Sequence, residues 1–497
     1  MSNIRVTYSG LIALGTSLLG VITGTIFVVM VTRKISPEDF GLWTLIGSIV
    51  SYVIVIEPIV SYWTTRQVAR GEEVGKTAFT VIGVFSVIGM TIYLLIAIFV
   101  SSSLGADLSI LILASLLIPL NFITNILSSI SLSYRPQAIS YGSMLFEISK
   151  IPLGVLFVVL LELGIVGALL TTILSTAIKM IILMIMAKNK IAGTIKLETI
   201  KFWIRMSWLP LYINSFGLIH KLDVLIFSTI TGSFVGVAYW GIAITLSSLV
   251  GHSGTLSQAL YPKLLVAGRK QIAEQNLKTT MYFAIPLFAA SIIFAKPALH
   301  ILNPFYIDGY FIIYFIALRT FMAILMDISF NILQAYETVD LDKNATQKQY
   351  IKSKLFFVPT LQYLLAGSYV ITLTLFLLLV RTPDMSDAYL VTIWSFILFA
   401  VTLPIMIYSL ILIRKKHQIT LPYTSILKFS GVALLSATLL YFISDQVLTY
   451  PTSIWAFLPQ LIPLIAFGGL TYFGLTYLID GSAKTLFKSI FAEIKKR

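Results

Sequence analysis

The sequence predicts an all-α polytopic membrane protein with about fourteen transmembrane helices. Of its 497 residues, 58% are hydrophobic and only 11% are charged. Soluble proteins carry about 25% charged residues, so this chain lacks the polar surface that a soluble fold of its length needs. The mean hydropathy is +0.93, and apolar runs of about twenty residues recur from end to end, which is the pattern of many membrane spans.

Hydropathy divides the chain into fourteen candidate spans, each long enough to cross a hydrocarbon layer of about 30 Å as a helix. Their limits are 9–31, 42–64, 78–100, 108–132, 141–162, 164–187, 207–230, 236–260, 280–300, 307–336, 355–380, 387–412, 424–443 and 455–479. The first run follows a short polar segment and lacks a small-residue cleavage site. We therefore expect it to be a retained helix and not a signal peptide.

The basic residues predict the orientation of these spans, because cytoplasmic loops of membrane proteins carry an excess of Lys and Arg. With the N-terminus in the cytoplasm, 27 Lys and Arg residues fall in the inner loops, inner span ends and termini. The outer loops and outer span ends hold only four, which are Arg33, Lys34, Lys296 and Arg381. The sequence therefore predicts a protein of the cytoplasmic membrane, with both termini cytoplasmic and an even number of spans.

The composition also argues against several kinds of site. The chain has no cysteine, which excludes disulfides and thiolate metal sites. Its four histidines are too scattered for a metal-ligand motif, so we expect neither a catalytic metal nor a resident cofactor; they are His220, His252, His300 and His417. The net charge of +14 lies in the loops on one side of the membrane, where it reports topology and not nucleic-acid binding.

Two similar motifs indicate an internal repeat. The sequence ISPEDFG at 35–41 follows span one, and ITGSFVG at 230–236 follows span seven. The offset of 195 residues aligns Ser36 with Thr231 and Gly41 with Gly236. Halves with six spans each begin on the same side, so an axis along the membrane normal would relate them. We therefore predict two six-helix lobes.

The repeat gives a division of the chain into four parts. These are an N-lobe at 1–187 with spans one to six, a cytoplasmic linker at 188–206, a C-lobe at 207–412 with spans seven to twelve, and spans thirteen and fourteen with a basic cytoplasmic tail at 413–497. The linker mixes Lys with Ile, Phe and Trp, as a helix lying in the membrane interface would.

Further motifs in the second half carry a resemblance to a known family. Asp223 lies in mid-span, a glycine-containing turn occupies 232–239, and Tyr261-Pro262 closes span eight. With the turn at 35–41, these motifs resemble the polysaccharide-type exporters of the MOP (multidrug, oligosaccharidyl-lipid and polysaccharide) superfamily. The similarity covers about 1–412, and the last two spans match the fourteen-span members. The resemblance implies two lobes around a central cavity and the movement of lipid-linked sugars.

Span seven carries the densest group of polar residues within the predicted membrane. His220, Lys221 and Asp223 lie near its middle, where each ionised group costs at least about 2.5–3.5 kcal/mol unless it is paired or wet. Two interpretations stay open: mutual neutralisation, including by an acid on a neighbouring helix, or the lining of a polar translocation path. Asn214 and His252 add groups that can hydrogen-bond either sugar hydroxyls or adjacent helices.

The same two interpretations stay open for charged residues of other spans. Arg319 and Asp327 lie on roughly one face of span ten, about 12 Å apart, and we expect that face to line the cavity. Glu57 precedes Pro58, which frees a backbone carbonyl and kinks the helix, so this pair is a candidate gate or proton site.

Span five also contains charged residues, and Lys179 lies in span six. Glu147 and Lys150 are three residues apart on one helix face, which predicts a local ion pair. Lys179 lies close enough to the cytoplasmic end of its span to extend its ammonium to the interface.

These observations predict a transporter and not an enzyme. The first hypothesis is a flippase that moves a lipid-linked oligosaccharide or polysaccharide precursor by alternating access. The alternative is a cation-coupled multidrug exporter of the same superfamily, for which acids would be expected in the cavity. A membrane glycosyltransferase or polymerase is less favoured, because it needs catalytic acids on a substantial loop and the outer loops are short.

The first hypothesis assigns roles to particular residues. Cationic Lys221 and Arg319 would contact the substrate phosphate, and Asp223, Asp327 or Glu57 would hold them between substrates. The expected partners are the lipid-linked sugar, membrane lipids and other polysaccharide-assembly proteins, but no nucleic acid. The coupling ion would be Na⁺ or H⁺.

Overall fold

The computed structural model confirms an all-α polytopic architecture. It describes residues 6–135, 137–254, 270–337, 339, 347–382, 384–481 and 483–485. Among these residues there are helices, turns and loops but no β-strand. The Tyr261-Pro262 motif lies outside the described residues.

The described helices follow one another along the chain, and most of the connections that the structure describes are short. In order they are α1 Val6–Lys34, α2 Pro37–Ile54, α3 Pro58–Ala69, α4 Gly75–Leu104, α5 Leu108–Ala114, α6 Leu117–Tyr134, α7 Gln137–Gly154, α8 Gly164–Ile191, α9 Leu197–Arg205, α10 Trp208–Asn214, α11 Phe216–Thr231, α12 Phe234–Gly251, α13 Lys270–Ile293, α14 Ala295–Leu302, α15 Tyr310–Ala335, α16 Gln347–Lys352, α17 Lys354–Leu379, α18 Asp387–His417, α19 Tyr423–Val447 and α20 Ile454–Ile479. A π-helical turn, Val155–Leu160, continues α7.

Most of the predicted spans correspond to one long apolar helix. Within the described residues, ten helices are long and apolar enough to cross a membrane, and three bent pairs raise that number to 13. Helix α1 has 29 residues and is also long enough, which would complete the predicted set of about fourteen. The protein is therefore a multi-pass membrane protein.

Three predicted spans are broken; the break in span two was predicted at Pro58, and those in spans seven and nine correct the expectation of continuous helices. Span two bends by 60° between α2 and α3, span seven by 51° between α10 and α11, and span nine by 66° between α13 and α14. Proline accounts for the first break, because Pro58 begins α3 and cannot donate a hydrogen bond to the preceding turn. Pro210 and Pro297 lie near the other two breaks.

Residue packing divides the chain into two compact units. The first comprises Met1–Ala238 and Thr374–Val380, and the second comprises Tyr239–Leu373 and Arg381–Arg497. The first unit thus includes α10 and α11, which the repeat assigns to the C-lobe. The lobes at 1–187 and 207–412 stay a prediction.

The two outer turns of the predicted repeat have the same capping geometry. Ser36 precedes α2, and its hydroxyl accepts a hydrogen bond of 3.1 Å from the Asp39 amide. Ser233 precedes α12, and its hydroxyl accepts one of 2.9 Å from the Gly236 amide. A serine at this position satisfies an amide that the first helical turn leaves open. The caps therefore align Ser36 with Ser233, two residues further along than the sequence offset.

These two turns also meet within the first unit. A Cβ built on Gly41 would overlap the backbone carbonyl oxygen of Phe234. Only glycine allows α2 to approach the start of α12 so closely. Further along α2, the Tyr52 hydroxyl donates a hydrogen bond to the carbonyl oxygen of Lys221. The outer part of α2 is thus fixed against the segment from α11 to α12.

The second unit is built around aromatic contacts. Trp240 of α12 stacks on Trp394 of α18 with ring centroids 4.0 Å apart, and the Trp394 indole donates to the Tyr369 hydroxyl at 2.5 Å. The two C-terminal helices pack on α13, where the Tyr472 hydroxyl donates to the carbonyl of Tyr282 at 2.9 Å. These buried contacts make α19 and α20 part of this unit.

Cysteine labelling tests the predicted orientation. We expect a membrane-impermeant maleimide added to intact cells to modify Cys at Asp39 or Asp384, since both precede or begin helices at the predicted outer face. Cys at Lys196 or Lys348 should react only after the cells are opened. Labelling of the last two positions in intact cells would contradict the orientation.

Candidate functional site

Glu57 lies at the break between α2 and α3. Its side chain is only 6% exposed, and its Oε2 accepts a hydrogen bond of 3.0 Å from the Ser61 hydroxyl one turn later. The other oxygen, Oε1, is buried without a hydrogen-bond partner in the part of the chain that the structure describes. The structure confirms the kink that Pro58 predicted. A gate or proton site at Glu57 stays a prediction.

The polar residues of span seven differ in how far they are buried. His220, Lys221 and Asp223 all lie in α11, beyond the break, so the single helix expected over 207–230 is wrong. Lys221 is exposed, His220 is partly buried, and Asp223 is only 3% exposed. Residues two apart lie on different faces of a helix, so Lys221 and Asp223 do not share one.

The two charged side chains of α11 therefore differ in how they are stabilised. One Asp223 carboxylate oxygen accepts a hydrogen bond of 2.7 Å from the Val224 amide. Among the described residues, no carboxylate lies within ion-pair distance of the Lys221 ammonium. Neutralisation of Lys221 by a neighbouring acid thus has no support in the described residues, and the lining of a polar translocation path by Lys221 stays a prediction.

Asn214 and His252 lie at helix ends. Asn214 is the last residue of α10, and its amide nitrogen donates to the carbonyl of Pro210 at 2.7 Å. His252 is exposed and begins a short 3₁₀ turn after α12. Asn214 therefore serves the local helix break, and a contact of either residue with substrate stays a prediction.

Arg319 and Asp327 both lie in α15, in the second unit. Asp327 is exposed although Met326 and Ile328 beside it are buried, and Arg319 is partly buried two turns earlier. Their spacing of eight residues places both side chains on roughly one face of α15. Lys221 belongs to the first unit, so a cavity that it shares with Arg319 stays a prediction.

The predicted ion pair of span five is confirmed. Lys150 Nζ lies 2.6 Å from Glu147 Oε2, and the Thr23 hydroxyl of α1 also donates to that oxygen. The Lys150 ammonium also lies 5.8 Å from the centre of the Phe27 ring. Gly20 of α1 lies beside the carboxylate, and a Cβ built there would be in ordinary van der Waals contact with Glu147 Oε1, at 3.4 Å. The sequence spacing could not identify the contacts from α1.

Within the described ranges, the charged groups do not form a metal centre. Among the residues that the structure describes, no three His, Asp or Glu side chains are close enough to hold a metal ion. The arrangement instead gives one buried carboxyl at a helix break, one exposed lysine in mid-span, and one exposed acid in the same helix as an arginine two turns earlier. Such groups can bind a small cation, a proton or an anionic head group within a membrane.

No protein-family model matches the chain, and no curated protein matches it. Solved structures do. An inward-facing multidrug resistance MATE family transporter of the MOP superfamily has 13% identity and a TM-score of 0.57, over 82% of this chain and 99% of its own.

Two further solved structures agree with that match. The MATE multidrug transporter DinF-BH in complex with rhodamine 6G has 17% identity and a TM-score of 0.56, over 82% of this chain and 96% of its own. The Vibrio cholerae MATE transporter VcmN in the bent form has 13% identity and a TM-score of 0.51, over 87% and 99%. These matches show that the chain has the fold of the MATE transporters of the MOP superfamily.

Proposed function

We propose that this protein is a cation-coupled exporter that moves amphipathic organic molecules across the cytoplasmic membrane by alternating access. The observation that carries the proposal is the fold, which matches multidrug transporters over almost their whole length. One of these neighbours was solved in complex with rhodamine 6G, an organic compound. The proposal corresponds to the alternative that the sequence left open, and it now has more support than the flippase hypothesis.

Glu57 is the group best suited to coupling in the first unit. A buried carboxylate is costly when one of its oxygens lacks a hydrogen-bond partner, as Glu57 Oε1 does among the described residues, so a proton or a Na⁺ that neutralises it would bind favourably. Its place at a 60° break links that binding to the angle between α2 and α3. Binding the ion to one arrangement of these helices more tightly than to another would shift the equilibrium between them.

A lipid-linked oligosaccharide or polysaccharide precursor is the second candidate substrate. The observation that favours it is the exposed Lys221 in mid-span, because a cation suits a phosphate better than a cationic drug. In this version Lys221 and Arg319 contact the phosphate, and Asp223, Asp327 or Glu57 hold them between substrates. The partners would be the lipid-linked sugar, membrane lipids and other polysaccharide-assembly proteins.

Transport by the purified protein in vesicles tests the proposal. We expect rhodamine 6G to be moved when a proton or Na⁺ gradient is imposed, and Glu57→Gln to reduce that movement about tenfold or more. Glu57→Asp should keep part of it, because the carboxyl group remains. Full gradient-driven transport by Glu57→Gln would contradict coupling at Glu57.

The same vesicles separate the two candidate substrates. A fluorescently labelled lipid-linked sugar replaces the dye, and its arrival in the opposite leaflet is measured by quenching. Loss of flipping in Lys221→Ala, retention in Lys221→Arg, and no dye transport by the parent chain would favour the flippase over the exporter. Dye transport that Lys221→Ala leaves unchanged would favour the exporter.

A further inference from the structure

A small cavity in the first unit is separate from the charged groups in mid-span. It lies at the end of α3, on the predicted cytoplasmic side, and has a volume of about 250 Å³. Its walls come from α3, from the turn that follows it and from α9; they are Trp63, Arg66, Gln67, Arg70, Glu72 and Phe202. The proposed transport does not use any of these residues.

Two arginines give the cavity its positive charge. Arg66 and Arg70 are four residues apart at the end of α3, so they lie on one face of the helix. The Arg66 guanidinium lies 4.5 Å from the centre of the Tyr62 ring, a contact that restricts its position. Among the described residues, neither guanidinium is within ion-pair distance of a carboxylate. Cations at a helix C-terminus are common, so the charges alone do not define a site.

The indole of Trp63 supplies the second observation. Its Nε1 is buried and has no hydrogen-bond partner in the described part of the chain. The nearby Trp203 indole, in contrast, donates to Gln67 Oε1 at 2.9 Å. Edge-to-face contacts with Tyr62 at 5.0 Å and Phe202 at 5.1 Å fix the Trp63 ring. A buried N–H without an acceptor is destabilising, so an acceptor bound in the cavity would remove that penalty once it displaced the atoms that now cover Nε1.

Helix α9 places the cavity at the membrane surface. Trp203 is only 1% exposed and packs toward α3, whereas Leu197 and Ile204 are 70% and 63% exposed. Lys201 and Arg205 of the same helix are also exposed. A short helix with outward apolar and basic residues is typical of one lying between lipid head groups and acyl chains. Phosphate groups are concentrated at that depth.

We propose that this cavity binds a phosphate group at the cytoplasmic surface of the membrane. Arg66 and Arg70 provide charge-assisted hydrogen bonds, and Trp63 Nε1–H provides a neutral one. Glu72 lies in the same wall and opposes the anion, so it limits the affinity. The phosphate belongs to a lipid head group or is free inorganic phosphate, and both present the same oxygens. The site is independent of the substrate that is transported.

Thermal unfolding of the full chain in detergent tests this site. The probes are dihexanoyl phosphatidic acid, inorganic phosphate, and zwitterionic dihexanoyl phosphatidylcholine as a comparison. We expect phosphatidic acid to raise the Tm of the parent chain in a saturable way, because a ligand that binds only the folded state stabilises it. In Arg66→Gln/Arg70→Gln the apparent Kd should rise about tenfold or more.

Other variants measure how much each contact contributes to the affinity for phosphate. Trp63→Phe keeps the ring and removes the donor, so the apparent Kd should rise about threefold. Glu72→Gln should lower it. The matched control is Lys76→Gln/Lys188→Gln, which removes the same charge from exposed positions on the same predicted face and should bind like the parent.

The outcomes distinguish the sources of phosphate. A Tm shift with phosphatidic acid alone assigns the site to a lipid head group, and an equal shift with inorganic phosphate shows that the acyl chains are not needed. No shift with either probe, or an unchanged shift in Arg66→Gln/Arg70→Gln, would overturn the proposal. If the double variant does not fold, the single variant Arg70→Gln decides, since Arg70 is exposed and caps α3 only through its backbone.

Discussion

Replacing Lys150 with methionine is expected to remove most of the folded protein. Lys150 is only 8% exposed and lies 2.6 Å from Glu147, whose side chain is also mostly buried. Methionine fills similar space but leaves the Glu147 carboxylate without its closest cation. Breaking a buried ion pair from one side costs about 3–5 kcal/mol, which is a large part of the stability of a typical domain. We expect the abundance of the monodisperse protein to fall about tenfold or more.

The second substitution in this pair separates charge from packing. Glu147→Gln/Lys150→Met removes both charges and should recover most of the lost abundance, because no unpaired ion remains. Lys188→Met, at an exposed site at the end of α8, is the control and should have little effect. Fluorescence-detected size exclusion after membrane extraction measures all three. A double variant as poor as Lys150→Met alone would show that the ammonium acts through something other than this pair.

The spans could be predicted from sequence because few other structures are open to long apolar runs in a membrane. The run 164–187 became helix Gly164–Ile191, and 455–479 became Ile454–Ile479. The breaks were harder to predict. Pro58 signalled one of them, but the break at Ser215 has its proline five residues earlier. Where such a helix bends depends on the neighbours that pack against it, and the local sequence does not contain them.

Among the charged groups, contacts within one helix could also be predicted from sequence, and contacts between helices could not. The Glu147–Lys150 pair could be predicted because it depends only on helix spacing. The contact of Thr23 with Glu147 requires α1 to lie beside α7, which no pattern in the sequence indicates. Arg66 and Arg70 were visible only as topology charges, because their cavity forms when α9 folds back onto α3.

Gly41 should be the position in α2 where added volume harms transport most. A Cβ there would overlap the backbone carbonyl of Phe234 and lie 2.6 Å from its carbonyl carbon, and backbone atoms cannot rotate away as a side chain can. Gly41→Val would therefore force α2 away from the start of α12, at the predicted outer face. Alternating access requires the outer end to close again in every cycle. We expect Gly41→Val to lower transport in vesicles about tenfold or more, and Gly41→Ala to lower it less.

Gly47 provides a matched control for this substitution. It lies in the same helix, six residues further along, and a Cβ built on it would meet no atom within 4 Å. Any change in helix propensity from Gly to Val is the same at both positions, so Gly47→Val should transport like the parent chain. Equal losses in Gly41→Val and Gly47→Val would show that the helix, and not the contact with Phe234, is sensitive. A valine side chain at position 41 cannot fit against the Phe234 carbonyl as the two segments lie in this structure. Normal transport by Gly41→Val would therefore show that α2 and the start of α12 need not approach this closely.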